Sequence, residues 1–173
     1  MRMTMKELLY GALLTALALL IPLAFQGWLQ VAIPPFSATL ASHLPTMLAM
    51  TISPWVAVLV GLGSSFGFFV TLGPIVAMRA ATHAVFGAVG AMLHQKGLKL
   101  WQVLLITLPL HALAEAGVVM LFGFSLYQAL MVIGLGTALH HTADGAITLA
   151  VYGSLRKAGV PLGVRTQSPV RHF

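Results

Sequence analysis

The sequence predicts an all-α membrane protein of six transmembrane helices with both termini in the cytoplasm. Three observations carry that prediction. Of 173 residues, 59% are hydrophobic and only 7% charged, with mean hydropathy +0.97. A soluble domain carries about 25% charged residues. The length accommodates about six spans of ~20 residues as one domain, 1–173, with nothing left for a separate soluble unit. Finally, Arg2, Lys6, Lys96, Lys99, Arg156, Lys157, Arg165 and Arg171 all fall on one side of a six-span arrangement, and the opposite loops have no Lys or Arg. The positive-inside rule makes that side cytoplasmic, and a five- or seven-span reading would break the asymmetry.

Span 1 covers 7–25, behind Arg2 and Lys6. Lacking a small-residue cleavage site, it reads as a retained helix rather than a removable signal. The connection 26–36 contains Trp28, suited to the interfacial belt, and a Pro34-Pro35 step that cannot be helix interior. Span 2 covers 37–52 and is short and polar at its start. Ser53-Pro54 turns the chain into span 3, 55–72, and Gly73-Pro74 turns it into span 4, 75–93. A charged loop precedes span 5, 101–122. Span 6 covers 127–155, and the tail 156–173 is basic.

Composition also excludes function classes. No Gly-rich loop ending in Lys-Ser or Lys-Thr is present, so the chain does not hydrolyse nucleotides by that route. There are no cysteines, hence no disulfide, thiolate metal site or cysteine nucleophile. The net charge of +6 is spread too thinly for a nucleic-acid surface and follows from topology instead.

Three ionisable pairs interrupt the spans at i, i+4: Arg79 with His83, His111 with Glu115, and His140 with Asp144. Such spacing puts both members on one helix face. A charge at mid-bilayer costs between ~2.5 and ~17 kcal/mol depending on the measurement, so these residues face partners, a cavity or a substrate. From the outer ends, Arg79 is ~8 Å deep, His43 ~9 Å and Glu115 ~11 Å, whereas His140 is ~20 Å deep and Asp144 deeper. Arg79, His83, His43 and Glu115 therefore share a level in the outer half and predict an outward pocket. Arg79 is the only Lys or Arg inside a span. It either clamps an anion through its planar fork or pairs with Glu115 to join spans 4 and 5. His43 and His83 are packing residues or ligands of the same pocket. The His140-His141-x-x-Asp144 run is one His box where a membrane metal enzyme needs several, so it reads as a hydrogen-bond network with no metal and no cofactor. In span 1, Ala12 and Ala16 present small residues four apart, for packing within the bundle or for another protein's helix.

These features together resemble the substrate-binding S components of energy-coupling factor (ECF) vitamin transporters. Ala12 and Ala16 match that family's Ala-x-x-x-Ala motif, and the segments 36–54, 61–79 and 80–86 resemble its niacin-type branch. The resemblance spans roughly residues 8–155. Arg2 stands where the nickel and cobalt members have a metal-binding His. The resemblance implies an S-component-like bundle in a prokaryotic plasma membrane. It implies vitamin binding under the connection between spans 1 and 2, docking through Ala12 and Ala16 on a transmembrane coupling subunit, and energy from two cytoplasmic ATPases. For nicotinate, Arg79 would hold the carboxylate, and His83, His43, Glu115, His140 and Trp28 would serve the ring or orient Arg79. The alternatives are the same fold with another vitamin or precursor (cobalamin, a deazapurine), an intramembrane enzyme using His111, Glu115, His140 and Asp144, or a purely structural subunit.

Overall fold

The structure, a computed structural model, describes residues 3–33 and 36–162. Arg2, Arg165, Arg171 and the Pro34-Pro35 step lie outside the described residues. The chain runs α1 (Met5–Phe25), β1 (Gln30–Ile33), β2 (Phe36–Thr39), α2 (Leu44–Ala49), α3 (Pro54–Leu72), α4 (Pro74–Gln95), α5 (Leu100–Leu121), a π-helical run (Gln128–Gly134) and α6 (Leu135–Lys157). Among the described residues, four helices, α1, α3, α4 and α5, are long and apolar enough to cross a membrane. In α6, His140, His141 and Asp144 lower the mean hydropathy.

Local chemistry sets the helix ends. A reciprocal capping box starts α1: Glu7 N–H donates to Thr4 Oγ1 at 3.2 Å and Thr4 N–H to Glu7 Oε2 at 2.7 Å. Ser53 caps α3, with Pro54 in the first turn, where its missing N–H is not needed. Gly73 joins α3 to α4 at φ +83, a backbone state that a Cβ would disfavour.

Span 2 requires a correction. The helix expected over 37–52 is only Leu44–Ala49, ~9 Å long by the usual rise, and Phe36–Thr39 is a strand. β2 pairs antiparallel with β1 in the register Gln30↔Thr39 to Ile33↔Phe36, so an otherwise all-α chain contains one hairpin. The physical reason lies in the amides that follow. Ala41 N–H and His43 N–H donate to the Asp144 carboxylate rather than to helical carbonyls, and Ala41 adopts φ +62. A helix cannot start until that turn is complete.

Packing inverts the soluble pattern. Met47, Val56, Val60, Phe86 and Val103 fill a core between α2, α3, α4 and α5, while Leu13, Phe66, Leu105, Leu113 and Leu139 are exposed. Leucines on the rim suit lipid, and the polar groups turn inward. The α3–α4 seam is especially close: a Cβ at Gly61 would fall on the backbone of His83 and Ala84. That contact fixes His83 in the interior.

Candidate functional site

The polar interior has two carboxylates as its centres. Glu115 on α5 pairs with Arg79 on α4: Arg79 Nε–H and Nη2–H donate to Glu115 Oε2 at 2.9 and 2.6 Å. Thr137 on α6 donates to the same oxygen at 2.8 Å. The other oxygen, Oε1, lies 3.2 Å from His111 Nε2 and 3.8 Å from His83 Nε2. All of these side chains are buried. Arg79 also reaches the hairpin, where Nη1–H donates to Ser37 Oγ at 3.2 Å and Nη2–H to the Ser37 carbonyl at 3.4 Å.

Asp144 on α6 is the second centre. Oδ1 accepts from Ala41 N–H at 2.8 Å and Oδ2 from His43 N–H at 3.0 Å. His43 Nδ1 lies 2.9 Å from Oδ2, close enough to attract although off the line of an N–H bond. His140 Nε2 is 3.2 Å from the same oxygen and 3.0 Å from the Thr39 carbonyl. A carbonyl only accepts, so Nε2 carries the His140 proton.

The histidines connect the two centres. The His43 ring centroid lies 4.7 Å from those of His83 and His111 and 4.4 Å from that of His140. His83 Nδ1 is 3.1 Å from Ser64 Oγ on α3. His111 Nδ1 is 3.1 Å from His141 Nδ1, and His141 Nε2 is 3.1 Å from the Leu104 carbonyl. Phe86, fully buried, packs 4.1 Å from the His111 ring and closes the inner side.

A small pocket opens between these groups and the hairpin. Arg79, His83, His43, Glu115 and His140 line it, so five of the six expected substrate residues meet there. Trp28 does not: it is 68% exposed, and its indole N–H donates to the Ala24 carbonyl at 2.8 Å. The pocket also takes Ser37, Thr39 and Ser42, which sequence reasoning missed. Ser42 Oγ is buried and has no hydrogen-bond partner among the described residues. The only available signal was polarity, the Ser-Ala-Thr of the short span 2. Within the intramembrane network, His111 and His141 were visible in the sequence but not assigned to the pocket. They lie on its inner side, behind Glu115. Ala12 and Ala16 are exposed on α1, facing away from buried Gly11 and Ala18.

A buried guanidinium beside unfilled hydroxyl and imidazole donors is equipped to hold a small anion with an aromatic or polar body. Comparison with known proteins agrees with that chemistry. The chain is similar to a niacin transporter, NiaX, of Lactococcus lactis subsp. cremoris (strain MG1363), at 32% identity over 170 residues. The aligned region covers 88% of this chain and 76% of the relative. No family model matches the chain, and no solved structure does.

Proposed function

Since the chain belongs to the niacin-type S-component family of ECF transporters, a family of multi-pass membrane proteins, we propose that it captures nicotinate in the Arg79 pocket and passes it to a membrane-embedded coupling subunit. The observation that carries the substrate is the arrangement of Arg79. Glu115 holds one edge of the guanidinium, while the other contacts Ser37 of the hairpin at 3.2–3.4 Å, weaker bonds at the pocket wall. A substrate carboxylate can take over the Ser37 contacts without breaking the Arg79–Glu115 pair. Glu115 thus orients the clamp rather than competing for it. Ser42 Oγ adds a donor whose burial without a partner a carboxylate would satisfy. His43, His83 and His140 line the same pocket and offer their ring faces to the pyridine ring. The hairpin between α1 and α2 forms the roof of this pocket through Ser37, Ala38 and Thr39.

Calorimetry on the detergent-solubilised chain tests this reading. Nicotinate should bind and nicotinamide, without the negative charge, should bind poorly. Charge-assisted hydrogen bonds contribute ~1.5–3 kcal/mol each, so Arg79→Ala should weaken nicotinate by at least ~10-fold. Arg79→Lys should recover only part, because an ammonium lacks the planar fork. Equal affinity for the two compounds would return Arg79 to a structural pair with Glu115.

Transport is read as a shared task. Six crossings, with α2 and the hairpin as the second and the π-helical run plus α6 as the sixth, put both termini, Lys96 and Lys99 in the cytoplasm. Ala12 and Ala16, exposed on α1, form the surface on which the coupling subunit approaches, and two cytoplasmic ATPases supply the energy. Ala12→Trp with Ala16→Trp should abolish uptake in cells that contain those partners while leaving nicotinate affinity nearly unchanged. Wild-type uptake by the double variant would refute the docking face.

A further inference from the structure

On the inner side of the pocket, three histidines and one carboxylate converge more tightly than nicotinate capture requires. One donor atom from each of His43, His83, His111 and Glu115 lies within 4.8 Å of the other three. All four side chains are buried. What distinguishes them from an ordinary polar cluster is that each ring has an outer neighbour, hydrogen-bonded for His83 and His111 and a nearby carboxylate for His43. His43 turns Nδ1 toward Asp144 at 2.9 Å, His83 turns Nδ1 to Ser64 Oγ at 3.1 Å, and His111 turns Nδ1 to His141 at 3.1 Å. Nε2 is left as the inward nitrogen in every case. Outer partners of this kind, on the nitrogen opposite the metal, accompany almost all metal-binding histidines.

The hydrogen-bond directions point the same way. The Leu104 carbonyl 3.1 Å from His141 Nε2 can only accept, so that nitrogen carries the proton and His141 Nδ1 offers a lone pair. His111 Nδ1–H must then be the donor between the two rings. His111 Nε2 is left with a lone pair, and it faces Glu115 Oε1 at 3.2 Å. A neutral His111 thus turns a lone pair toward the carboxylate, a contact made favourable by a positive charge between them, either a second proton on the ring or a metal ion.

We propose that His43, His83, His111 and Glu115 bind one divalent first-row transition-metal ion, zinc or a neighbour of similar softness, at the inner end of the pocket. Three imidazoles favour such an ion over magnesium or calcium, which prefer oxygen. With bonds of ~2.0–2.2 Å, a tetrahedral ion needs neighbouring donors ~3.4 Å apart. The observed 3.2 Å for His111–Glu115 and 3.8 Å for His83–Glu115 bracket that spacing. Closing the widest gaps takes ring rotations of about an ångström. Phe86 keeps bulk water from the inner side. The site goes beyond the nicotinate reading and does not rest on it. An ion there would also make the pocket more attractive to an anion held at Arg79.

The test uses the full chain, purified in detergent without chelator. Elemental analysis should find one transition-metal ion per chain. After stripping, Zn²⁺ alone should rebind at 1:1 in calorimetry, and Co²⁺ alone should give the visible absorption of a tetrahedral ion. Ser64→Ala, a small change behind His83, should lower Zn²⁺ affinity ~10- to 100-fold, the usual effect of losing an outer partner. His111→Gln should lower it further. Ser64→Ala keeps the test open should His111→Gln fail to fold. A folded, stripped chain with no 1:1 Zn²⁺ or Co²⁺ binding tighter than ~10 µM overturns the site. So does Zn²⁺ affinity unchanged by Ser64→Ala, which would mean an ion bound elsewhere. Nicotinate is titrated separately: Zn²⁺ binding without nicotinate binding overturns only the substrate, and the reverse overturns only the metal site.

Discussion

Glu115 and Asp144 are both buried, both acidic and both ringed by histidines, yet their partners differ in kind. Glu115 is met by side chains from three helices: Arg79, His83, His111 and Thr137. Asp144 grips backbone, taking the amides of Ala41 and His43 at 2.8 and 3.0 Å. Side chains can exchange one partner for another by a rotamer change when a ligand arrives. A backbone amide can leave only if its segment moves. The Glu115 centre is therefore the adjustable part of the site, and the Asp144 centre holds the turn that carries His43 and supports the hairpin roof.

Removing the second centre should have the larger effect. Asp144→Ala leaves the Ala41 and His43 amides without their acceptor and takes the carboxylate away from the His43 and His140 rings, a loss of ~3–5 kcal/mol by analogy with broken buried pairs. Little folded protein should survive, read as the monodisperse fraction in size-exclusion chromatography and its thermal midpoint. Glu115→Gln keeps an acceptor for Arg79 and Thr137 and removes only the charge of the pair, so it should fold and change nicotinate affinity rather than stability. Folding lost with Glu115→Gln but kept with Asp144→Ala would reverse the two roles.

A medium effect is expected at the seam that places His83. Gly61→Ala forces α3 away from the backbone of His83 and Ala84, at ~1–3 kcal/mol for overpacking, and should weaken ligand binding with it. Gly117→Ala, two residues after Glu115 on α5, meets nothing within 4 Å. It should be neutral or slightly stabilising, since Ala favours helix by up to ~1 kcal/mol. Thermal midpoints of the two variants separate crowding at the seam from a general sensitivity of glycines.

Much of the Glu115 centre was legible in the sequence, and much of the Asp144 centre was not. Helical spacing alone put His111 with Glu115 and His140 with Asp144, and both pairs are in contact at 3.2 Å. Arg79 and His83 share a face as expected, but Glu115 links them. Depth counting brought Arg79, His83, His43 and Glu115 to one level because three of the four sit on long regular helices. It kept Asp144 apart from His43, whose depth was counted as if span 2 were continuous helix, whereas Phe36–Thr39 is a strand with a longer rise per residue. The Asp144 contacts are to backbone amides of a turn, and an amide leaves no mark in residue identity. The four-residue strands were too short for alternation to reveal, and the outer hold on His83 by Ser64 depends on the α3–α4 approach that Gly61 permits. The direction in which each imidazole nitrogen points has no sequence signal at all.

The smallest expected effect tests how firmly Asp144 holds its turn. Ala41 is the one non-glycine among the described residues at positive φ, +62. An L residue in the left-handed region costs ~1–2 kcal/mol, which the Asp144 bonds to the Ala41 and His43 amides offset. Ala41→Gly removes that strain but gives the unfolded chain more freedom, a penalty of ~0.4–1 kcal/mol. The difference leaves a gain between zero and about 1.6 kcal/mol, visible as a small rise in the thermal midpoint, with nicotinate affinity unchanged because the main-chain amides stay in place. A lower midpoint would mean that Ala41 is not strained. Asp144 would then be stabilising a turn that forms readily without it, and the contrast between the two carboxylates would shrink to their side-chain partners.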